Sequence, residues 1–533
     1  MFFLFYIITL LAYFESRWSG FVTDYIGFEQ NYNKCGFWHY YDCAGNKNFR
    51  YLQHAISYPL YKIVGSDSMA WYILYTLAHA LTAYVFYLLL KKMFFLFDHN
   101  AYRQLAFVAA FLFLLSPYQS EVVVWRVCIQ YNTASICLLL SVLLYIKDLE
   151  VPSIRYPLVS ILLFIIGLLS LEQIVVMPYF IIAVGMFYSI MNSKYVVMKR
   201  TLLCYFLPQH LLLGGYFLAS KIVYGKWIMH YGAGVYEGIF SVQTISKIFK
   251  YFFKYILLVR YWKHEYKEAF FLFLERPSVT ITLMVMVLLL SGYLLRRFIL
   301  GSLYSGVLFL LIVLYLLSLV PVIELYFTYV LYSANDRLGY LSSMFIFGII
   351  SLLLYRLSPI IRDAVFLLLM LVNFFFLVRM SHYWMRSTQI YNGYLESFHA
   401  YQFKTVYLLG VPDNYRGLWM MTIVGPSSGF KEALEYRKKE KYTGNMYDVM
   451  QYNATSFEDG MGVEKRDDST LYVHFTHNGS WFIYQGLGAR DYETTKYKVR
   501  MNEWGYTVHF KDFDTANSVI LYPYKLHWKR AEL

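Results

Sequence analysis

Five stretches carry ionisable side chains inside apolar sequence, where burying a charge costs enough to require a reason. Asp24 lies in FVTDYIGFEQN, with Glu29 in the same segment. A carboxylate so placed can take the proton of an attacking hydroxyl as a general base; the plainer reading is a solvated loop acid. Glu121 sits in SPYQSEVVVWR, with Arg126 as the obvious ion-pair partner, and Glu172 sits in SLEQIVVMPY with apolar sequence on both sides. Both are candidates for lining a polar cavity. His79 interrupts YTLAHALTAYVFYLLL, where a lone histidine is first of all a structural group bonded to a neighbouring helix. Arg337, in YSANDRLGYLSS, offers the planar donor fork that holds a phosphate, or that anchors a helix end to lipid headgroups.

Other chemistry is thinly represented. Cys35 and Cys43 can close a local disulfide in an oxidising compartment, whereas Cys128, Cys137 and Cys204 fall in or near apolar runs as packing residues. No P-loop, Rossmann glycine pattern, CxxC or His/Cys cluster is present.

The elements that must position these residues are membrane helices. Of 533 residues, 59% are hydrophobic and only 15% charged, against about a quarter charged in soluble domains. The mean hydropathy is +0.43. With 12 Pro, 30 Gly and 5 Cys the chain is not collagenous, disordered or disulfide-stapled. Aromatics reach 21%, a load suited to bilayer interfaces and to stacking on sugar rings. The net charge of +13 does not indicate a nucleic-acid partner, because the basic residues gather at the ends of apolar runs, as topology rules require.

Apolar runs fall at 1–13, 69–90, 105–115, 134–146, 158–171, 174–191, 202–222, 279–295, 303–320, 341–355 and 364–378. They predict a multi-pass α-helical protein of about 11 transmembrane helices. The first run lacks a basic n-region and a cleavage site, and is read as a retained anchor. Lys91, Lys92, Lys147, Arg200, Arg297 and Arg356 fall in alternate loops, which makes that side cytoplasmic. The N-terminus is then inside, and the first outer loop 14–68, the segment 224–277 and everything after 379 are outside. Within 224–277, Lys250, Lys254 and Arg260 alternate with Phe, Tyr and Leu. This pattern predicts an interfacial amphipathic helix, with a twelfth span as the competing reading. Short β-rich runs at 405–409, 418–424, 471–475, 481–484, 497–499, 506–510 and 519–522, with one helix at 430–441, predict a soluble mixed α/β domain over 381–533 beyond a transmembrane domain over 1–380.

Taken in order, these motifs resemble those of the GT-C superfamily of polyprenyl-phosphate-sugar-dependent glycosyltransferases. More narrowly, they are similar to the membrane part of the tetratricopeptide-repeat O-mannosyltransferases and their bacterial relatives. Asp24 matches an acidic first outer loop, Arg50-Tyr51-Leu52 an Arg-Pro-Leu segment, and Ala78-His79-Ala80 a Leu-His-Ala signature. Pro117 to Val123 matches a Pro-x-His-x-Glu-x-Val turn, Ser170-Leu171-Glu172 a Ser-Lys-Glu segment, and Arg337, Tyr340 and Ser343 an Arg-x-x-Tyr-x-x-Ser stretch. Thr23, Tyr51, Gln119 and Leu171 replace family residues, and no tetratricopeptide repeats follow.

The resemblance implies an enzyme in the inner membrane of a bacterium, with its C-terminal domain in the periplasm. It would transfer a sugar, with inversion, from a polyprenyl-phosphate donor to a protein, glycan or lipid acceptor on the outer face. Asp24 is then the base and Arg337 the phosphate holder. Arg50 and His79 support the donor site, Glu121 and Glu172 orient sugar hydroxyls or basic groups, and Glu29 joins the substrate-binding set. No nucleotide or metal cofactor is required. Two rival classes are a flippase for lipid-linked sugars and a non-catalytic scaffold. The first would show inverted repeats and interrupted spans, which the sequence lacks; the second would tolerate loss of every acid named above.

Overall fold

The computed structural model describes residues 1–20, 25–40, 49–192, 195–227, 241–323, 336–420, 429–439, 441–476, 479–482, 491–502 and 504–533. Apolar runs with few helix breakers leave the backbone one stable state, the helix, which satisfies its own N–H and C=O groups. In chain order the helices, polar ones included, are α1 (Phe2–Ala12), α2 (Tyr25–Cys35), α3 (Tyr51–Val64), α4 (Ser68–Phe95), α5 (Tyr102–Leu115) and α6 (Ser120–Val124). Next come α7 (Ile129–Glu150), α8 (Arg155–Leu168), α9 (Glu172–Asn192) and α10 (Val197–Tyr224). The remaining helices are α11 (Val242–Leu257), α12 (His264–Glu275), α13 (Pro277–Ile299), α14 (Leu303–Leu319), α15 (Asp336–Tyr355), α16 (Pro359–Glu396) and α17 (Gly429–Lys438).

Seven of these, α4, α7, α9, α10, α13, α15 and α16, are long and apolar enough to cross a membrane. α5 and the Pro117–Val124 segment form a further pair bent by 55°, and α1, α8 and α14 are shorter apolar helices. Together they follow the order of the apolar runs in the sequence. The last run does not end where composition changes: α16 continues for 38 residues to Glu396, about 57 Å at 1.5 Å per residue. That exceeds a hydrocarbon core of roughly 30 Å, so the helix is a stalk whose last turns belong with the C-terminal domain.

The described part of 224–277 is largely helical, but the two lysines of α11 near its middle and end are turned inward. Lys250 and Lys254 on α11 are 1% and 3% exposed and pair with Glu275 and Asp336. An inward lysine is tolerated when a carboxylate meets it, and partners distant in sequence supply both.

Beyond Ser397 the described residues form three sheets. The first runs β13 (His527–Ala531), β12 (Ser518–Tyr524), β1 (Thr405–Leu408), β4 (Asn445–Asp448), with β1 parallel to both neighbours. The second is antiparallel: β6 (Met461–Asp467), β7 (Thr470–Phe475), β11 (Gly505–Phe510), β10 (Tyr497–Met501), β9 (Tyr492–Glu493). The third runs β3 (Leu418–Trp419), β2 (Val411–Tyr415), β5 (Gln451–Ala454), β8 (Gly479–Phe482). Alternation explains β11, which buries Tyr506, Val508 and Phe510. The charged MGVEKRD run of β6 forms an edge, where exposed charges discourage further pairing.

The domain is tied to the helices by specific bonds. Trp528 Nε1 donates to the Tyr394 carbonyl of α16 at 3.0 Å, and Gln30 Nε2 of α2 to the Glu432 carbonyl at 3.4 Å.

Candidate functional site at one end of the helix bundle

The two ends of the bundle differ in kind. Lys91, Lys92, Lys147, Arg297 and Arg356 fall at or near the C-terminal ends of α4, α7, α13 and α15, where cations also favour the helix dipole. The opposite end, where α4, α7, α9 and α15 begin, gathers acids and bases from distant segments into the interior.

Pro117 shapes this end. It has no N–H to continue α5, and the chain bends by 55° there, turning Gln119, Ser120 and Glu121 inward, each 0% exposed. Glu121 meets the start of α15: its Oε2 accepts from the Arg337 backbone N–H and from Nη1, both at 3.1 Å. The carboxylate thus occupies the positive end of a helix as an anion would. The Arg337 guanidinium also lies over the Trp125 ring, 4.3 Å from its centroid. The obvious partner of Glu121, Arg126, goes elsewhere, donating from Nη2 to the Ser19 carbonyl at 2.7 Å.

Next to Arg337, Asp336 is 1% exposed and is the centre of a second ion cluster. Lys254 Nζ lies 2.5 Å from its Oδ1, and Arg260 pairs with its Oδ2. Lys254 sits 5.2 Å from the Tyr118 ring centroid, and the Tyr118 hydroxyl accepts from the Arg260 backbone N–H at 3.2 Å. The C-terminal domain reaches this cluster: Arg260 Nη2 donates to the Gly417 carbonyl at 3.2 Å. Gly417 has φ of 80°, a left-handed conformation that glycine adopts freely. On α12, Lys267 adds another cation. Burial, then Arg260 and Lys254, lower its ammonium pKa to about 8.

Arg50 and Glu172 form a third pair, Nη2 to Oε2 at 2.8 Å and Nε to the same oxygen at 3.0 Å. Gln173, the next residue, donates to the Leu338 carbonyl at 3.4 Å, which joins this pair to the Arg337 segment. Glu29 is 5% exposed. Burial raises its carboxyl pKa against the lowering influence of the Tyr61 hydroxyl, Arg437 and Arg126. Arg437 belongs to α17, so the C-terminal domain supplies charge here as well.

His79 is placed differently. Its Nδ1 meets the Tyr340 hydroxyl at 2.7 Å and its Nε2 the Leu114 carbonyl at 3.3 Å, and Tyr340 donates to Asn132 Oδ1 at 2.7 Å. The imidazole is thereby a latch between α4, α5, α7 and α15. Asp24 and Cys43 lie outside the described residues; Cys35 is disulfide-bonded.

The structure therefore brings together Glu121, Arg337, Glu172 and Arg50, sets Glu29 beside Arg126, and adds Asp336, Lys254, Arg260 and Lys267. Asp336 was readable as Arg337's neighbour, but nothing in the sequence pairs it with a helix some 80 residues earlier, at Lys254 and Arg260. Around the cluster, Ser116 Oγ, Gln119 Oε1, Ser120 Oγ, Glu121 Oε1, Trp125 Nε1 and Gln130 Oε1 are buried with no hydrogen-bond partner among the described residues. Buried polar atoms are nearly always satisfied in folded proteins, and these six fall between Ser116 and Gln130. Among the described residues no group of three or more His, Cys, Asp or Glu could hold a metal ion. The chain matches no family model and no curated protein.

Proposed function

We propose that the protein is an inverting membrane glycosyltransferase that moves a sugar from a polyprenyl-phosphate donor to an acceptor hydroxyl on the outer face of the membrane. The observation that carries this reading is the convergence of Arg337, Lys254 and Arg260 on two buried carboxylates, with Lys267 near Arg260 and Lys254, beside a stretch of buried polar atoms. Cations outnumber carboxylates in that group, which suits a phosphate that gains charge as it leaves. The order of motifs along the chain supports the same class.

In the proposed reaction the acceptor oxygen forms a bond to the anomeric carbon while the bond from that carbon to the phosphate oxygen breaks. The acceptor proton passes to a carboxylate, assigned to Asp24 by its place in the motif series. The polyprenyl phosphate departs among the cations. Glu121 and Asp336 hold Arg337, Lys254 and Arg260 in place, so little reorganisation is needed as charge develops. Glu172 and Arg50 extend the polar wall, and Glu29 with Arg437 forms the side nearest the C-terminal domain, which is assigned to the acceptor. In this reading the seven long helices, the bent pair and the three short apolar helices are all crossings, and the lysine-rich end, opposite the site, is assigned to the cytoplasm. An inner membrane of a bacterium is the proposed location.

Purified protein in proteoliposomes, supplied with radiolabelled polyprenyl-phosphate sugar, tests the reading. The expected result is label transferred to an acceptor fraction with release of polyprenyl phosphate. Movement of intact labelled lipid across the bilayer without cleavage would favour a flippase and overturn the assignment.

A further inference from the structure

At the opposite, lysine-rich end of the bundle a cavity of about 490 Å³ opens between α4, α5 and α7. Its walls are two helix faces in matching register. α4 contributes Leu88, Lys91, Lys92 and Phe95, and α7 contributes Leu140, Leu143, Leu144 and Lys147. Each set follows the spacing that puts residues on one side of a helix. Tyr102 of α5 closes one flank.

The two faces are graded alike. Leucines line the part toward the middle of the bundle, and lysines stand where both helices approach their ends. Lys92 is held by Glu150, Nζ to Oε1 at 2.9 Å. The side chains of Lys91 and Lys147 have no ion-pair partner among the described residues. Phe95 is 44% exposed and Lys147 is exposed as well, so the cavity opens at the side and end of the helices.

From this pattern we infer that the cavity binds one anionic phospholipid, its phosphate headgroup among Lys91, Lys92 and Lys147 and an acyl chain along the leucine walls. Apolar wall and cationic rim complement the two halves of such a lipid, and basic pockets between membrane helices on this side bind acidic headgroups. A small hydrophilic anion would leave the leucines wetted. A zwitterionic lipid would set its quaternary ammonium against the lysines. The volume falls within the range of pockets that enclose a single small-molecule ligand. The site is remote from the acid–base cluster, and requires only that these helices lie in a bilayer.

Native mass spectrometry on protein released from nanodiscs of equal phosphatidylglycerol and phosphatidylcholine tests the site. The wild-type protein should retain phosphatidylglycerol in preference to phosphatidylcholine. Lys91→Gln with Lys147→Gln, which breaks no ion pair of the described residues, should weaken that preference by about tenfold or more, the scale of losing two lysines near an acidic headgroup. Leu143→Trp, which fills the cavity while leaving every lysine, should abolish retention with the unfolding temperature little changed. Equal retention of both lipids by the wild type, or an unchanged preference in the lysine variant, would overturn the inference. So would competition by soluble glycerol phosphate as effective as that of the lipid, since the occupant would then be a free anion.

Discussion

At the scale of residues, the proposed donor site depends on a group of cations, three of which are paired with buried carboxylates. Lys267 offers the sharpest pH signature. Its pKa of about 8 means it carries charge below that pH and loses it above, so affinity for a phosphate-bearing donor should fall as pH rises through about 8. Donor KM measured from pH 7 to 9 should increase, with kcat changing less, and Lys267→Arg should flatten the profile. Glu29 works in the other direction on stability. Its carboxyl is raised in the folded state, so the native chain binds more protons than the unfolded one between the ordinary and the raised value. Stability therefore drops as pH rises through that window. Glu29→Gln should remove this dependence, as thermal unfolding at pH 4 to 8 would show. Arg337→Ala should raise donor KM more than it changes acceptor affinity, since the guanidinium is assigned to the phosphate.

At the scale of elements, the ion cluster is a junction between α11, the turn after it, α15 and the C-terminal domain. Removing Asp336 leaves Lys254 and Arg260 buried without their carboxylate, and losing one member of a buried pair costs about 3–5 kcal/mol. Asp336→Asn should lower the unfolding midpoint clearly, whereas Asp468→Asn, on the fully exposed side chain of a surface pair, should leave it within about 0.5 kcal/mol. Gly339 is tested the same way, since a Cβ there would collide with the Tyr255 hydroxyl. Helices were the legible part of the sequence, because an apolar run has one way to satisfy its backbone. Strands such as β11 and β12 were legible through alternation and β-branched content. Strands β2, with Pro412, and β6, with Glu464, Lys465 and Arg466, were not, because pairing with neighbouring strands, rather than local propensity, makes them strands. In the site, Arg337, Glu121 and Glu172 stood out as charges in apolar surroundings, whereas Arg50, in a polar stretch, was singled out only by the motif series. Lys254 and Arg260 were read as interfacial because their counter-charge, Asp336, lies far along the chain, and such pairing is a tertiary fact.

At the scale of the whole molecule, α16 makes the membrane part and the sheet domain act together. It begins beside the basic loops, runs along the outer side of the bundle, and ends against Trp528, while α17 sets Arg437 near Glu29 and the turn at Gly417 touches Arg260. The C-terminal domain thus borders the candidate site through Gly417 and Arg437. A reporter fused after Leu533 should signal the outer compartment, and a cytoplasmic signal there would contradict the topology. The most direct test of the central claim compares wild-type protein with Asp24→Asn in proteoliposomes, following release of polyprenyl phosphate from a labelled donor. Loss of about 10²–10⁴-fold in turnover, with folding and donor binding preserved, is the expected result. Undiminished turnover, or no donor cleavage by the wild type in the presence of its host's acceptor extract, would contradict it.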